Sequence, residues 1–160
     1  MTTIHAYTSD KELLDGSHKD LRRARSAAVN TVPTTTGAAR ALGSVYPQVN
    51  GIFDGLAIRV PVPTVSLTDF TFLVNKSTSV REINQALEQA SLGELKGVLA
   101  VTTDPLVSSD IIRLEESALI DLSLTKVVDG NLVKVIAWYD NEWGYANRLV
   151  EEVLLAGAQL

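Results

Sequence analysis

Segments with the two-residue period of β-strands outnumber helical patterns along this chain of 160 residues, and proline or glycine bounds several of them. Thr2 to Tyr7 reads as a short strand, apolar at Ile4 and Ala6, with His5 on the opposite side. Phe53 to Val60 and Val65 to Val74 alternate or run apolar. Pro61 and Pro63 separate them and suit a strand end or edge, since proline donates nothing to a ladder. Shorter strands are expected at Gly97 to Val101, Ala118 to Val128 and Leu132 to Tyr139, with Asp129-Gly130 forming a tight hairpin turn between the last two. Helical signals are fewer. One helix should start around Thr34 to Thr36, whose hydroxyls can cap it, and run to Val45 before Pro47. A second opens on the capping-box sequence Ser79-Val80-Arg81-Glu82 and carries Val80, Ile83, Leu87 and Ala90 at helical spacing to about Ser91. The last, about Tyr145 to Ala156, sets Leu149, Val150, Val153 and Leu154 on one face. Neighbouring antiparallel strands with helices between them predict an α+β fold, a mostly antiparallel mixed sheet with helices on one face.

Thr8 to Pro33 has little periodicity. A loop of that length inside a compact domain is usually functional when ordered. The chain fits one domain over residues 1–160, and its 46% hydrophobic content is enough for a sizeable core. A formal net charge of −5 argues against nucleic acid as the main partner, although Lys19, Arg22, Arg23 and Arg25 cluster as a solvated face would. No stretch reaches the ~18 apolar residues of a membrane span, no charged-then-apolar leader opens the chain, and there is no cysteine to form disulfides. A cytoplasmic protein without a metal site or membrane partner is expected.

Four places hold residues suited to chemistry. His5 on a strand is either a hydrogen-bonded structural residue or an acid–base catalyst, and an imidazole of pKa about 6.5 suits the latter near neutrality. Arg59, inside the apolar run Ile58-Arg59-Val60, needs a partner: an acidic residue in a buried salt bridge, or a phosphate, whose oxygens match the guanidinium fork. Thr34 to Gly37 joins hydroxyls to a helix start, which can cap the helix or bind an anion. Trp138 to Arg148 packs two Trp, two Tyr and two Asn into one short run, a composition hard to ascribe to packing alone.

Together, the segments Thr2-Thr3-Ile4-His5-Ala6-Tyr7-Thr8, Pro33-Thr34-Thr35-Thr36-Gly37-Ala38-Ala39 and Trp138-Tyr139-Asp140-Asn141-Glu142-Trp143-Gly144-Tyr145-Ala146-Asn147-Arg148 closely resemble the catalytic domain of phosphorylating glyceraldehyde-3-phosphate dehydrogenase. The resemblance spans essentially the whole chain. It implies an enzyme that converts glyceraldehyde 3-phosphate, inorganic phosphate and NAD or NADP to 1,3-bisphosphoglycerate. By it, His5 activates a cysteine thiol and then shuttles protons. Thr8 and Arg59 hold the substrate's C3 phosphate, and Thr36 and Gly37, with Arg23 nearby, form the inorganic phosphate site. Asn141 orients the nicotinamide carboxamide, with Tyr145 packing near the ring. Residues 8–33 match an S-shaped loop at subunit contacts of a homo-oligomer, a tetramer in the full enzyme. There Gly16-Ser17 stands where strictly NAD-using members tend to have Leu-Pro, so Ser17 hints at tolerance of the NADP 2′-phosphate.

The resemblance covers only the second half of that enzyme. Gly-x-Gly-x-x-Gly does not occur in the chain, so most of the cofactor would be bound by a separate domain, and the nucleophilic cysteine is missing. These departures predict a truncated or internally started chain, inactive alone, with the apolar face of its last helix exposed. Ile111 to Glu116 also departs from the usual turn of the family. An erythrose-4-phosphate dehydrogenase-type domain is the nearest alternative, and the threonine-rich run at 34–37 argues against it. A non-catalytic phosphate-binding or assembly module is the other.

Overall fold

The computed structural model describes residues 1–158, which fall in two compact units divided between Pro63 and Thr64. Eight strands and three helices, with both parallel and antiparallel pairing, make up an α+β fold.

The first unit contains β1 (Thr2–Ala6), β2 (Val32–Thr35), helix α1 (Ala38–Val45) and β3 (Leu56–Val60). β3 runs parallel to β1, with His5 opposite Arg59, and antiparallel to β2, with Thr34 opposite Ala57. The cross-strand register therefore sets the two candidate site residues side by side. β2 is a strand where the sequence pattern suggests loop and helix start: Val32 and Thr34 turn inward while Pro33 and Thr35 face out. Proline is tolerated there because β2 is bonded on one side only within this unit. α1 accordingly begins at Ala38, later than the threonines suggest. Gly37 occupies its N-cap, and the Thr36 hydroxyl accepts the Ala38 N–H at 3.2 Å.

The segment between β1 and β2 is folded on itself. Glu12 N–H donates to Arg23 O and Gly16 N–H to Ala24 O, while Ala27 N–H returns to Glu12 O. Asp15 accepts the Ser26 N–H at 2.8 Å, and the Ser26 hydroxyl reaches Leu13 O at 2.6 Å. Satisfying its own polar groups lets so long a loop hold one conformation.

The second unit is built from β4 (Ser66–Leu73), α2 (Val80–Leu92), β5 (Leu99–Thr102), β6 (Ala118–Asp121), β7 (Lys126–Val128), β8 (Leu132–Tyr139) and α3 (Trp143–Gly157). β8 is its hub, antiparallel to β4, β6 and β7, and β5 joins β6 in parallel. Inward residues Ile120, Leu122, Val133, Val135 and Ala137 form one core cluster, against which Ile83 and Leu87 of α2 pack. The expected capping box is present: Ser79 Oγ accepts the Glu82 N–H at 3.3 Å, and Glu82 Oε2 accepts the Ser79 N–H at 2.8 Å. Asp129 and Gly130, at φ of 50° and 72°, make the tight turn expected between β7 and β8.

Ala118 to Val128 is not the single strand that its apolar content predicts. A 3-10 turn at Leu122–Leu124 divides it, because the Asp121 carboxylate accepts both the N–H and the hydroxyl of Ser123 and so bends the chain. A second core cluster gathers Val65, Ile111 and Leu119, with Trp138 packed on it. Besides Asp129, two non-glycine residues take positive φ: Arg113 at 69°, in the turn after Ile111, and Val65 at 72°. Val65 is also only 1% exposed. No helix among the described residues is long and apolar enough to cross a membrane.

Candidate functional site

In the first unit the site grows from the β1–β3 register. Arg59 Nη1 lies 2.6 Å from His5 Nδ1 and donates to Ala6 O at 2.9 Å, and the same Nδ1 is 2.7 Å from Ala6 O. A guanidinium can only donate, so Nδ1 either accepts from Arg59 or carries a proton for the Ala6 carbonyl. Either way, Nδ1 is tied to the main chain and to Arg59. Burial pulls the His5 pKa below 6.5; the Ala6 carbonyl opposes this, and the charges of Arg59 and Lys11 add to the lowering. The ring is thus held neutral at pH 7, as an acceptor of protons requires.

Thr8 follows directly, and Lys11 lies one turn further on, its amide bonded to Thr8 O at 3.0 Å. Lys11 Nζ stands 3.4 Å from Thr8 Oγ1 and 3.2 Å from Asp10 Oδ2. Hydrogen bonding and charge from Lys11, then the charges of Arg23 and His18, hold the Asp10 carboxyl below the usual carboxylate range. Arg23 spreads its guanidinium over Thr34, Thr35 and Asp10: Nε to Thr34 Oγ1 at 2.8 Å, Nη2 to Thr35 Oγ1 at 3.2 Å and Nη1 to Asp10 Oδ2 at 2.5 Å. Its contacts are with Thr34 and Thr35 on β2, whereas Thr36 and Gly37 lie just beyond at the α1 entrance. No side chain or backbone outside the adjacent residues stands within 4 Å of where a Gly37 Cβ would be, so the space beside it is open. Ser17 is exposed on the loop.

In the second unit, the segment between β8 and α3 is organised by Asp140, whose side chain is buried. Its Oδ1 accepts the N–H groups of Glu142 and Trp143, and its Oδ2 accepts that of Arg113, all at 2.9 Å. This turn presents Asn141, whose Oδ1 accepts the hydroxyl of Ser66 on β4 at 3.2 Å. Gly144 lets the first turn of α3 approach the chain closely, since a Cβ there would sit 3.0 Å from Glu116 O. Asn141 and Tyr145 line a cleft of about 320 Å³ together with Tyr139, Asp140 and Arg148. Tyr145 is 68% exposed, so its ring is available to stack and is not part of the core. Beyond it, Leu149, Val150, Val153, Leu154 and Leu155 are all exposed on α3.

The resemblance named His5, Thr8, Arg59, Arg23, Thr36 and Gly37, and the first unit gathers His5 and Arg59 into contact. Lys11, Ser66 and Asp140 escaped it. Asp10-Lys11 reads as two surface charges, and only the burial of Lys11 sets it apart. Asp140 stood inside the aromatic run, where its value as an acceptor of three amides depends on Arg113, far off in sequence. Among the described residues no group of three or more His, Cys, Asp or Glu is placed to hold a metal ion.

A family model described as "Glyceraldehyde 3-phosphate dehydrogenase, C-terminal domain" matches residues 1–141. Glyceraldehyde-3-phosphate dehydrogenase of Mycolicibacterium smegmatis is 58% identical over the full chain, which covers 47% of that protein. The enzyme of Mycobacterium avium is 57% identical with the same coverage. Glyceraldehyde-3-phosphate dehydrogenase 2 of Streptomyces avermitilis is 53% identical over the full chain, which covers 48% of it. The chain thus spans about half the length of these relatives.

Proposed function

This chain belongs to the C-terminal domain family of glyceraldehyde 3-phosphate dehydrogenase, and on that premise we propose that it supplies the substrate-holding and proton-transferring half of a phosphorylating, NAD(P)-dependent dehydrogenase. The reaction takes glyceraldehyde 3-phosphate, inorganic phosphate and NAD(P)⁺ to 1,3-bisphosphoglycerate, NAD(P)H and a proton. The observation that carries the reading is the contact of His5 with Arg59 across β1 and β3, with Thr8 following after Ala6 and Tyr7.

Arg59 and Thr8 hold the C3 phosphate, a fixed fork and a hydroxyl against a dianion. Thr36 and Gly37 offer a hydroxyl and a main-chain amide at the start of α1 to inorganic phosphate, with Arg23 holding the preceding threonines in place. With Nδ1 tied to Ala6 and Arg59, Nε2 of His5 is the nitrogen that would take a proton from the thiol and then from the hydroxyl on C1 as hydride leaves that carbon. That thiol comes from another segment, as this chain contains no cysteine.

The dinucleotide, when bound, accepts hydride from C1. The residues present fit one end of it: the half-buried Asn141 amide donates and accepts, as a carboxamide partner must, beside the exposed Tyr145 ring. For the pyrophosphate the chain has no glycine-rich cradle, so that end belongs to a separate domain. Ser17, exposed on the loop, is the residue through which NADP would be tolerated. A cytoplasmic homo-oligomer completes the proposal. The alternative, a non-catalytic assembly module, is favoured by the exposed leucines and valines of α3.

Titration calorimetry of the purified chain with sulfate tests the anion site. The wild type should bind, Arg59→Ala should lose that binding by about tenfold or more, and neither should reduce NAD(P) in the presence of substrate and phosphate. Unchanged binding by Arg59→Ala would remove the basis for the substrate site. Phosphate-dependent NAD(P) reduction by the chain alone would show that its chemistry does not need a thiol.

A further inference from the structure

Among the described residues, Lys11 is the one lysine buried almost completely, its side chain 1% exposed. An ammonium carries three donors and is strongly hydrated, so taking it out of water demands acceptors. Here it has two. Thr8 Oγ1 stands at the long limit of a hydrogen bond, 3.4 Å away, and Asp10 Oδ2 is at 3.2 Å. Asp10 is a poor counterion for it. Its carboxylate is 54% exposed, and the same Oδ2 takes Arg23 Nη1 at the closer distance of 2.5 Å, with His18 Nε2 3.9 Å from Oδ1. The charges of Arg59 and Arg23 meanwhile repel the ammonium. Together with burial, which acts most strongly, they push the Lys11 pKa down.

A neutral side chain of similar length, such as glutamine or methionine, would fill the same space without desolvation or repulsion. A buried ammonium repelled by Arg59 and Arg23, and sharing one solvated carboxylate with Arg23, is an arrangement that a multiply charged anion would stabilise. We infer that Lys11 is a third ligand of the phosphoryl group held by Thr8 and Arg59, one that favours a dianion over singly charged groups. The inference rests on the assignment of Thr8 and Arg59 as the phosphate site.

As a ligand, Lys11 donates one N–H to the phosphoryl oxygen bonded to Thr8 and gives up none of its existing contacts. The competing role is a purely structural tie between the loop and Asp10. The two roles predict opposite behaviour in the absence of anion. A ligand is a liability in the empty site, so its removal leaves the chain as stable or more stable. A structural tie lost lowers stability.

Lys11→Gln and Lys11→Met, made in the full chain, separate these roles by sulfate calorimetry and by thermal unfolding in sulfate-free buffer. Both variants should bind sulfate about tenfold more weakly or worse, with Tm unchanged or raised. In the Arg59→Ala background, Lys11→Gln should cost nothing further, because both residues serve one anion. Sulfate affinity within about twofold of wild type in both variants would overturn the inference, as would a fall in Tm in both. An Arg59→Ala chain that binds sulfate normally would instead overturn the underlying site assignment, whatever the Lys11 variants do.

Discussion

Asp140→Ala is expected to destabilise the chain by roughly 3–5 kcal/mol, more than any other single polar substitution considered. The carboxylate is 4% exposed and accepts three main-chain N–H groups. Alanine offers them nothing, and an amide left buried without an acceptor costs about 1–3 kcal/mol. Partial hydration around the exposed Glu142 and Trp143 keeps the sum below the maximum. Asp140→Asn retains one acceptor oxygen and should fall between wild type and alanine. Urea unfolding at pH 7 gives the measurement, and a midpoint unchanged in Asp140→Ala would contradict it. The same residue carries an acid dependence. Burial pushes its carboxyl up, but the N–H groups of Trp143, Arg113 and Glu142 outweigh this and leave the pKa below the usual value of 3.8. Its stabilising contribution is therefore complete above pH 3.8 and is lost as pH falls through the lowered value. Asp140→Ala should flatten that part of the acid limb.

His5→Asn has the largest expected effect on activity. In an enzyme reconstituted from this domain and a half bearing the thiol and the dinucleotide cradle, the substitution should lower kcat by about 10²–10⁴-fold. Substrate KM should change little, since Arg59 and Thr8 remain. A change in KM alone would assign His5 to binding instead. The pH dependence of stability is an independent check that needs only the isolated chain. Because burial sets the pKa of His5 below 6.5 in the folded state, the unfolded chain takes up the proton first as pH falls. Stability should drop as pH descends from about 6.5 toward the lowered value, with the loss complete below it. Asn cannot titrate, so the variant should lack that slope.

Much of this architecture could be read from local pattern. The alternation of Leu132 to Tyr139, the capping box at Ser79 and the turn at Asp129-Gly130 each depend on neighbours in sequence, and each appears where expected. The failures depend on distant partners. Pro33 reads as the end of a loop until β3 supplies a ladder for Val32 to Thr35. Ala118 to Val128 reads as continuous until the Asp121 carboxylate turns onto Ser123. The mostly antiparallel mixed sheet is as expected, while its parallel pairs, β1 with β3 and β5 with β6, join strands separated by intervening structure and so carry no local signal. The site divides likewise. His5 and Arg59 stand out as polar residues in apolar strands, which is a local signal. Lys11 is distinguished by burial alone, and Ser66 only by its reach to Asn141 across 75 positions.

Val65 shows how two demands can meet at one position. Its backbone sits at φ 72°, where a β-branched residue is strained by roughly 1–2 kcal/mol, while its side chain is 1% exposed in the cluster with Ile111 and Leu119. Glycine would release the strain and forfeit about 1.5–3 kcal/mol of burial. With the extra unfolded-state freedom of glycine added, valine remains the better residue. The entrance of β4 thus keeps a filled core at the expense of a strained backbone, directly before Ser66, whose hydroxyl is bonded to Asn141.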